Sequence, residues 1–335
     1  MNASSPQSDA WLVADVGGTN IRFGLAVSGR PGILAPDSIR ALRVDAFDTP
    51  SSATRHYLDA IGAQPSGAVY AVAGPTDGAS AQLTNHRWSF SAAELGHALG
   101  MKQVSLINDF AAIAHALPAL TDADLSPLGP RMAPGRAAGP RTLAVVGPGT
   151  GLGVAALILR SGAPWVLETE GGHASFAPET PEEIEILAHL ARRFGRVSWE
   201  RVLCGSGLVN IHRALREMAG DPPARPLTPE GITERANAGS DRHSVRAVEV
   251  FCGLLGAFAG DLALAFGAWD GVYLAGGIPV PLAPWLEQGE FRRRFENKGR
   301  FAATMARVPA ALILHPYPGL LGAACRAMAV AGESG

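Results

Sequence analysis

Apolar runs, glycine-rich turns and helical stretches alternate along the first third of the chain. Continuous or alternating apolar residues predict strands at 11–16, 21–27, 68–73 and 104–107. Helical spacing occurs at 91–100, where Ser91 and Glu94 suit a capping box, and at 110–117, which Pro118 ends. Strands with helices between them predict an α/β lobe.

The middle of the chain repeats this plan. Residues 142–147 and 153–159 are predicted strands joined by a glycine-rich turn, like the pair at 11–16 and 21–27. The 335 residues also exceed the size that one hydrophobic core usually fills. We therefore expect an α/β protein of two related lobes, each opening with a hairpin.

Longer helices follow in the second half. Apolar periodicity predicts helices at 181–194, 206–218 and 244–267, and then a strand at 271–275. Gly256 and Gly260 are one turn apart, which indicates close packing between helices.

The lobes are expected to be discontinuous in sequence. A helix at 319–331 should fold back onto the first lobe, because a lone terminal helix needs a partner face. The small lobe would comprise residues 1–118 with 318–335, and the large lobe 119–317. Segment 123–141, rich in proline and glycine, is expected to be a flexible surface insertion.

Composition and charge argue against several classes of protein. The chain is 47% hydrophobic and 17% charged, as is typical of globular proteins. Its net charge is −2 and it has no basic stripe, which argues against a nucleic-acid partner. The residues before Trp11 lack a secretory signal pattern, and Asp261 with several glycines interrupts the longest apolar segment. We expect a soluble cytoplasmic protein with no membrane partner.

The cysteines and lysines do not indicate a metal centre or a Walker site. Cys204, Cys252 and Cys325 form no CxxC pair, so neither a disulfide framework nor a zinc site is predicted. Lys102 and Lys298 do not follow a glycine-rich loop, so a Walker-type P-loop is absent. A nucleoside triphosphate would have to bind through another architecture.

The first hairpin turn, Asp15 to Asn20, contains groups suited to a charged ligand. Gly17 and Gly18 allow close backbone approach and positive φ, and successive turn N–H groups can hold an anion. Because Asp15 would repel a bare phosphate, its presence indicates a metal ion that accompanies the phosphate. The alternative is an ordinary hairpin with a Gly-Gly turn.

Two further glycine motifs could contact a nucleotide. The turn from Gly147 to Gly153 lacks GxGxxG spacing and leads into a strand, so it fits phosphate binding through Thr150 and backbone N–H groups better than dinucleotide binding. Gly276 and Gly277 end a strand and leave space for a base or a ribose, or they form a plain turn.

Polar residues elsewhere are candidates for sugar binding and acid–base chemistry. Asp109, after Asn108 at a strand end, can accept a hydroxyl proton during phosphoryl transfer, or can merely cap a helix. Glu170 and His173, separated by two glycines, can converge on a polar ligand or can be the exposed ends of a turn. Glu200 is either a helix acid or a further ligand.

Six segments carry a family resemblance: DVGGTNIRFGLA, INDFAAIAHALP, VVGPGTGLGVAAL, EGGHASFAP, ERVLCGSGLVNIHRAL and LAGGI. In order and spacing they resemble the bacterial ATP-dependent glucokinases of the sugar kinase, Hsp70 and actin superfamily, over nearly the whole chain. The similarity is to the proteobacterial branch, since the cysteine-rich zinc motif of the repressor–ORF–kinase branch is missing.

The resemblance implies a two-lobed actin-like ATPase (ribonuclease H-like) fold with a cleft between the lobes. It also implies phosphorylation of D-glucose to glucose 6-phosphate, with ATP and Mg²⁺, by a homodimer. The implied sugar ligands are Asn108, Asp109, Glu170, His173 and Glu200, with Asp109 as the general base. The implied nucleotide residues are Asp15 (near Mg²⁺, through water), Gly17, Gly18, Thr19, Asn20, Gly149, Thr150, Gly151, Gly276 and Gly277. Asn85 is expected close to the sugar pocket.

Three alternatives stay open. The chain could be a kinase of the same fold that acts on mannose, fructose or an amino sugar. It could be a catalytically silent sugar-sensing regulator, although the residues before Trp11 leave no room for a helix-turn-helix. An actin-like filament protein is disfavoured by the polar cluster at 170–173.

Overall fold

The computed structural model describes residues 10–27, 33–84, 86–129, 139–160, 164–222 and 225–333. Contacts between residues divide the chain into two compact units. The first takes in residues 1–120, 162–168 and 315–335, and the second takes in 121–161 and 169–314. Each is built on a mixed β-sheet with helices, so the predicted α/β class is confirmed.

The elements are named in chain order. The strands are β1 (Ala10–Val16), β2 (Asn20–Val27), β3 (Arg40–Arg43), β4 (Gly67–Val72), β5 (Ser80–Gln82), β6 (Ser89–Ser91), β7 (Gln103–Asn108), β8 (Leu125–Pro127), β9 (Arg141–Pro148), β10 (Leu152–Leu159), β11 (Trp165–Thr169), β12 (Gly271–Leu274) and β13 (Ala310–Ile313). The helices are α1 (Pro50–Ile61), α2 (Ala92–Leu99), α3 (Asp109–Ala116), α4 (Pro181–Phe194), α5 (Gly205–Met218), α6 (Pro229–Asn237), α7 (Arg242–Phe266), α8 (Ala283–Glu287), α9 (Glu290–Glu296), α10 (Ala302–Met305) and α11 (Pro318–Glu333). The predicted hairpins and long helices are therefore found within a few residues of their expected bounds.

The main sheet of the first unit has the order β3-β2-β1-β4-β7, with β4 and β7 parallel to β1. Leu12 and Val16 pack on one face, and Trp11 and Val13 pack on the other. Because both faces are covered, β4 is buried along its whole length and its sequence is a continuous apolar run instead of an alternating one.

The C-terminal helix α11 packs against α3 and β1, which confirms the predicted fold-back. The two helices approach closely at Gly322, where a Cβ atom would lie 2.5 Å from the carbonyl carbon of Ala112 and closer still to its oxygen. Only glycine permits this approach. The position of α3, which begins at Asp109, is therefore set by a backbone-to-backbone contact with α11.

The strands that lie entirely in the second unit run in the order β10-β9-β12-β13-β8. Here the prediction for 123–141 is wrong in part: Leu125–Pro127 forms strand β8 against β13, and Leu128 is buried. The apolar side chains of Leu125 and Leu128 complete the edge of the sheet, although the surrounding prolines and glycines suggest a loop. Residues 130–138 lie outside the described residues.

The helix α7 is the core helix of the second unit. Among the described residues it is the one helix long and apolar enough to cross a membrane. However, 83% of its most apolar stretch of 18 residues is buried inside the fold. A Cβ atom on Gly260 would lie 2.6 Å from the carbonyl oxygen of Phe295, and one on Gly256 would overlap the carbonyl oxygen of Phe291. The predicted close helix packing is thus the contact between α7 and α9.

Candidate active site

The first glycine turn joins β1 to β2 and is exposed at Gly18, Thr19 and Asn20. The Gly17 N–H donates to the Asn20 carbonyl at 2.9 Å, and the Val44 N–H donates to the Thr19 carbonyl at 3.0 Å. The expectation of positive φ is wrong here, since neither Gly17 nor Gly18 lies in the left-handed region. These glycines instead leave the backbone uncovered by side chains, which lets a ligand approach it.

Asp15 lies at the end of β1, directly opposite Arg22 on β2. Its Oδ2 is 3.6 Å from Arg22 Nη1, and a Cβ atom on Gly319, at the start of α11, would lie 3.1 Å from Asp15 Cγ. Burial raises the pKa of Asp15, against the opposing effect of Arg22. A partly buried carboxylate with one long ion pair gains from a further cation, and its hard oxygens suit Mg²⁺, so this residue fits the implied ion.

Asn108 and Asp109 occupy the end of β7 and the first position of α3. The Asn108 Oδ1 accepts the N–H groups of Phe110 and Ala111 at 2.8 and 3.2 Å, and its Nδ2 donates to the Gly74 carbonyl at 3.2 Å. The helix cap is therefore Asn108, and the alternative that Asp109 is the cap is wrong. The Asp109 Oδ1 accepts the adjacent Phe110 N–H at 2.9 Å.

These two parts of the first unit lie at the same edge of its sheet. Val16, Val72 and Asn108 are in register across β1, β4 and β7. The turn that follows Asp15 and the Asn108–Asp109 pair are therefore separated by a single strand at the carboxyl end of the sheet, where open α/β sheets bind ligands.

Sequence reasoning missed Arg22 and Glu168 in this unit. Burial raises the pKa of Glu168, against the opposing effect of the nearby Asn108 backbone. The hairpin register could have revealed Arg22, because it faces Asp15. No local pattern indicates Glu168, which contacts a strand end far away in the sequence.

The second and third glycine motifs meet in the second unit. In the β9–β10 turn the Gly149 N–H donates to the Gly151 carbonyl at 2.8 Å, and the Gly205 N–H, at the start of α5, donates to the Gly149 carbonyl at 3.0 Å. Gly276 has φ +91°, and a Cβ atom on it would lie 2.6 Å from the Pro148 carbonyl oxygen. Glycine is required at 276 on both counts. Thr150 and Gly277 are exposed beside this contact.

The predicted convergence of Glu170, His173 and Glu200 is present. His173 Nε2 is 3.9 Å from Glu170 Oε2, and His173 Nδ1 is 4.0 Å from Glu200 Oε1. The 3₁₀ turn Gly171–His173 holds the imidazole, and Arg196 Nη2 donates to the His173 carbonyl at 2.7 Å. The cluster offers two carboxylates and a ring nitrogen, which can pair with several sugar hydroxyls.

Glu200 is the acidic residue in the first turn of a short 3₁₀ helix, Trp199–Arg201, and its role as a ligand stays a prediction. Its Oε2 accepts the Leu152 N–H at 3.0 Å. Arg196 and this Leu152 contact were missed from the sequence, because both depend on the packing of segments distant in the chain. Asn85 lies outside the described residues.

Solved structures define the class to which this fold and these motifs belong. The chain is similar to the crystal structure of a glucokinase from an Antarctic psychrotroph, with a TM-score of 0.86 and 34% identity over 96% of this chain and 100% of that one. Together with its mixed sheets and helices, this shows the two-lobed actin-like ATPase fold of the sugar kinases.

The family follows from sequence relatives. The chain is 52% identical to a glucokinase of Stenotrophomonas maltophilia (strain R551-3) over 96% of each chain. It is 50% identical to one of Xanthomonas campestris pv. campestris (strain B100) over 95% of this chain and 94% of the relative. Residues 12–330 match the Glucokinase family model. The chain belongs to the glucokinase family, which confirms the resemblance to the proteobacterial branch.

Proposed function

We propose that this chain transfers the γ-phosphoryl group of ATP to the 6-hydroxyl of D-glucose, with Asp109 as the general base. Membership of the glucokinase family supports the reaction. The observation that supports the choice of base is the position of Asp109, which directly follows the end of β7 and the cap residue Asn108 at the carboxyl edge of the sheet.

In this mechanism Glu170, His173 and Glu200 pair with ring hydroxyls of the sugar, and the second hydrogen of Asn108 Nδ2 adds a donor. Asp109 accepts the proton of the 6-hydroxyl as that oxygen bonds to the γ-phosphorus. The bond from the γ-phosphorus to the bridging oxygen breaks, and ADP leaves with the electron pair.

The glycine turns position the nucleotide. Backbone N–H groups of 17–20 and 149–151 donate to phosphate oxygens, and Gly276 with Gly277 leaves space for the adenosine. Asp15 would hold Mg²⁺ through water, and that ion, when bound, offsets the charge of the phosphates. Phosphoryl transfer depends on positioning more than on covalent chemistry, so two lobes that hold the two substrates suit the reaction. We also propose the bounds of these lobes: the small lobe takes in residues 1–118 with 318–335, and the large lobe takes in residues 119–317.

We further propose, from the family, a cytoplasmic homodimer that does not engage nucleic acid or membranes. Light scattering of the purified protein tests the oligomeric state. A mass of about one chain, 34.7 kDa, at assay concentrations would contradict the dimer.

The test of the reaction is a coupled assay of glucose 6-phosphate formation from ATP. Asp109→Asn keeps the shape and removes the base, so we expect kcat to fall by roughly a hundredfold or more. Calorimetric glucose affinity should change little. Glu94→Gln, an exposed acid of the same unit, is the control. Near-normal turnover in Asp109→Asn would refute the assignment of Asp109 as the general base.

The preference for glucose is tested separately, by assaying the unmodified protein with mannose, fructose and glucosamine.

A further inference from the structure

The two carboxylate oxygens of Glu200 contact different parts of the second unit. Oε1 is 4.0 Å from His173 Nδ1, on the side of the proposed sugar cluster. Oε2 accepts the N–H of Leu152, the residue that directly follows the Gly149–Gly151 turn. A single carboxylate thus joins the sugar cluster to the phosphate turn.

We propose that Glu200 is a positioning residue for the phosphate turn as well as a sugar ligand, so that glucose binding and ATP binding are coupled through it. The inference rests on the proposed function of the cluster and of the turn, and adds a connection between them.

The backbone around Glu200 is fixed, so its side chain must make this connection. Trp199, the preceding residue, is buried, and its N–H donates to the Ala174 carbonyl at 2.9 Å. The Leu203 N–H donates back to the Trp199 carbonyl at 2.8 Å. At the other end of the turn, Asn210 Nδ2 donates to the Arg201 carbonyl at 2.9 Å. Because the backbone of the 3₁₀ turn is anchored at both ends, a sugar hydroxyl that binds Oε1 acts on the orientation of the carboxylate alone.

The phosphate turn is held tightly against this carboxylate. A Cβ atom on Gly151 would lie 2.7 Å from Glu200 Oε2, so the turn and the carboxylate are in direct contact. The carbonyl of Leu152 packs against Gly172, where a Cβ atom would overlap it. The peptide group before Leu152 is therefore held by Glu200. The peptide group after it is held by Gly172, which lies between Glu170 and His173 of the sugar cluster.

The coupling has a defined sign. The bond from the Leu152 N–H to a charged oxygen is stronger than a neutral one. A sugar hydroxyl on Oε1 locks the carboxylate in the orientation that holds the turn, so glucose should tighten nucleotide binding. By thermodynamic reciprocity the nucleotide should tighten glucose binding by the same factor.

Two alanine substitutions in the turn test the connection from the nucleotide side. Gly151→Ala pushes the flexible end of Glu200 aside, whereas a Cβ atom on Gly149 meets nothing within 4 Å. We expect Gly151→Ala to weaken glucose binding, measured by calorimetry without nucleotide, by roughly tenfold, the scale of one charged hydrogen bond. Gly149→Ala should leave this affinity within about twofold. Equal glucose affinities in the two variants would overturn the coupling.

Substitutions of Glu200 test it from the sugar side. Glu200→Gln keeps an acceptor for the Leu152 N–H, and Glu200→Ala removes it. Both should raise the KM for glucose. Glu200→Ala should raise the KM for ATP by roughly tenfold, and Glu200→Gln should raise it by less, because it keeps a neutral acceptor. This rescue by glutamine distinguishes positioning from a general structural defect, which circular dichroism and thermal unfolding would reveal.

The outcomes separate this inference from the proposed function. Glu200→Ala with a raised KM for glucose and an unchanged KM for ATP would refute the coupling and leave Glu200 as a sugar ligand. Wild-type values of both constants would refute the coupling and the sugar role together. Glu170→Gln is the matched control: its carboxylate faces His173 from the other side, so its KM for ATP should not change.

Discussion

Replacing Gly322 by alanine should disturb both the stability of the first unit and its catalytic edge. The new Cβ atom would lie 2.5 Å from the Ala112 carbonyl carbon, where ordinary contact requires about 3.4 Å. The groups that it meets belong to the backbone of α3, so no side chain can rotate away. The helices must separate by about 1 Å or more.

The magnitude follows from two opposing effects. Overpacking costs up to about 3 kcal/mol, and the upper end applies because the obstruction is backbone. Alanine gains about 1 kcal/mol over glycine inside a helix. The net loss of unfolding free energy is therefore about 2 kcal/mol. Because α3 begins at Asp109, a shift of this size should also lower kcat by roughly a hundredfold.

Gly332 provides the matched control on the same helix. A Cβ atom there meets nothing within 4 Å, so Gly332→Ala should be neutral or slightly stabilising, with normal kcat. Urea unfolding followed by circular dichroism and the coupled kinase assay would compare the two variants. If Gly322→Ala unfolds at the same urea concentration as Gly332→Ala and turns over normally, the inferred contact of α11 with α3 is wrong.

Three other substitutions test further contacts. Burial raises the folded pKa of Asp15 above its unfolded value, so the stability that this residue contributes is lost as the pH rises through the folded pKa. Asp15→Asn should therefore raise the melting temperature of the ligand-free protein at pH 7, while it raises the KM for MgATP. A lower melting temperature would contradict this. Arg294→Met leaves the buried Glu183 carboxylate without its ion pair and should lower the free energy of unfolding, measured in urea, by about 3 kcal/mol. Adding Glu183→Gln should restore part of this free energy. No recovery in the double variant would argue against the ion pair. Arg196→Met removes the donor to the His173 carbonyl, so the KM for glucose should rise several-fold with the KM for ATP unchanged, and the reverse pattern in steady-state kinetics would refute that role.

Local periodicity predicted the regular elements well. Helix α4 matches its expected bounds, and both hairpins appear, because their apolar spacing and turn residues all favour the same structure. The strand β8 was missed, since three residues next to prolines carry too little pattern, and its partner β13 is far away in the sequence.

The site was predictable in its residue types but not in its connections. Carboxylates and glycines at strand ends identified the candidates, and the family resemblance assigned their roles. The helix cap at Asn108, the contact of Glu168 with it and the bond from Leu152 to Glu200 depend on tertiary packing. Spacing along the chain contains no information on such pairs, which bring together residues from separate elements.

The contact between α7 and α9 has a consequence for the protein while it is being synthesised. The ribosome releases α7 before α9. For an interval, therefore, the face of α7 that contains Gly256 and Gly260 does not yet pack against α9. During that interval the nascent chain displays a segment that insertion machinery could mistake for a bilayer anchor. A defect that delays α9 would therefore expose the cell to mistargeting, although α7 itself is unaltered.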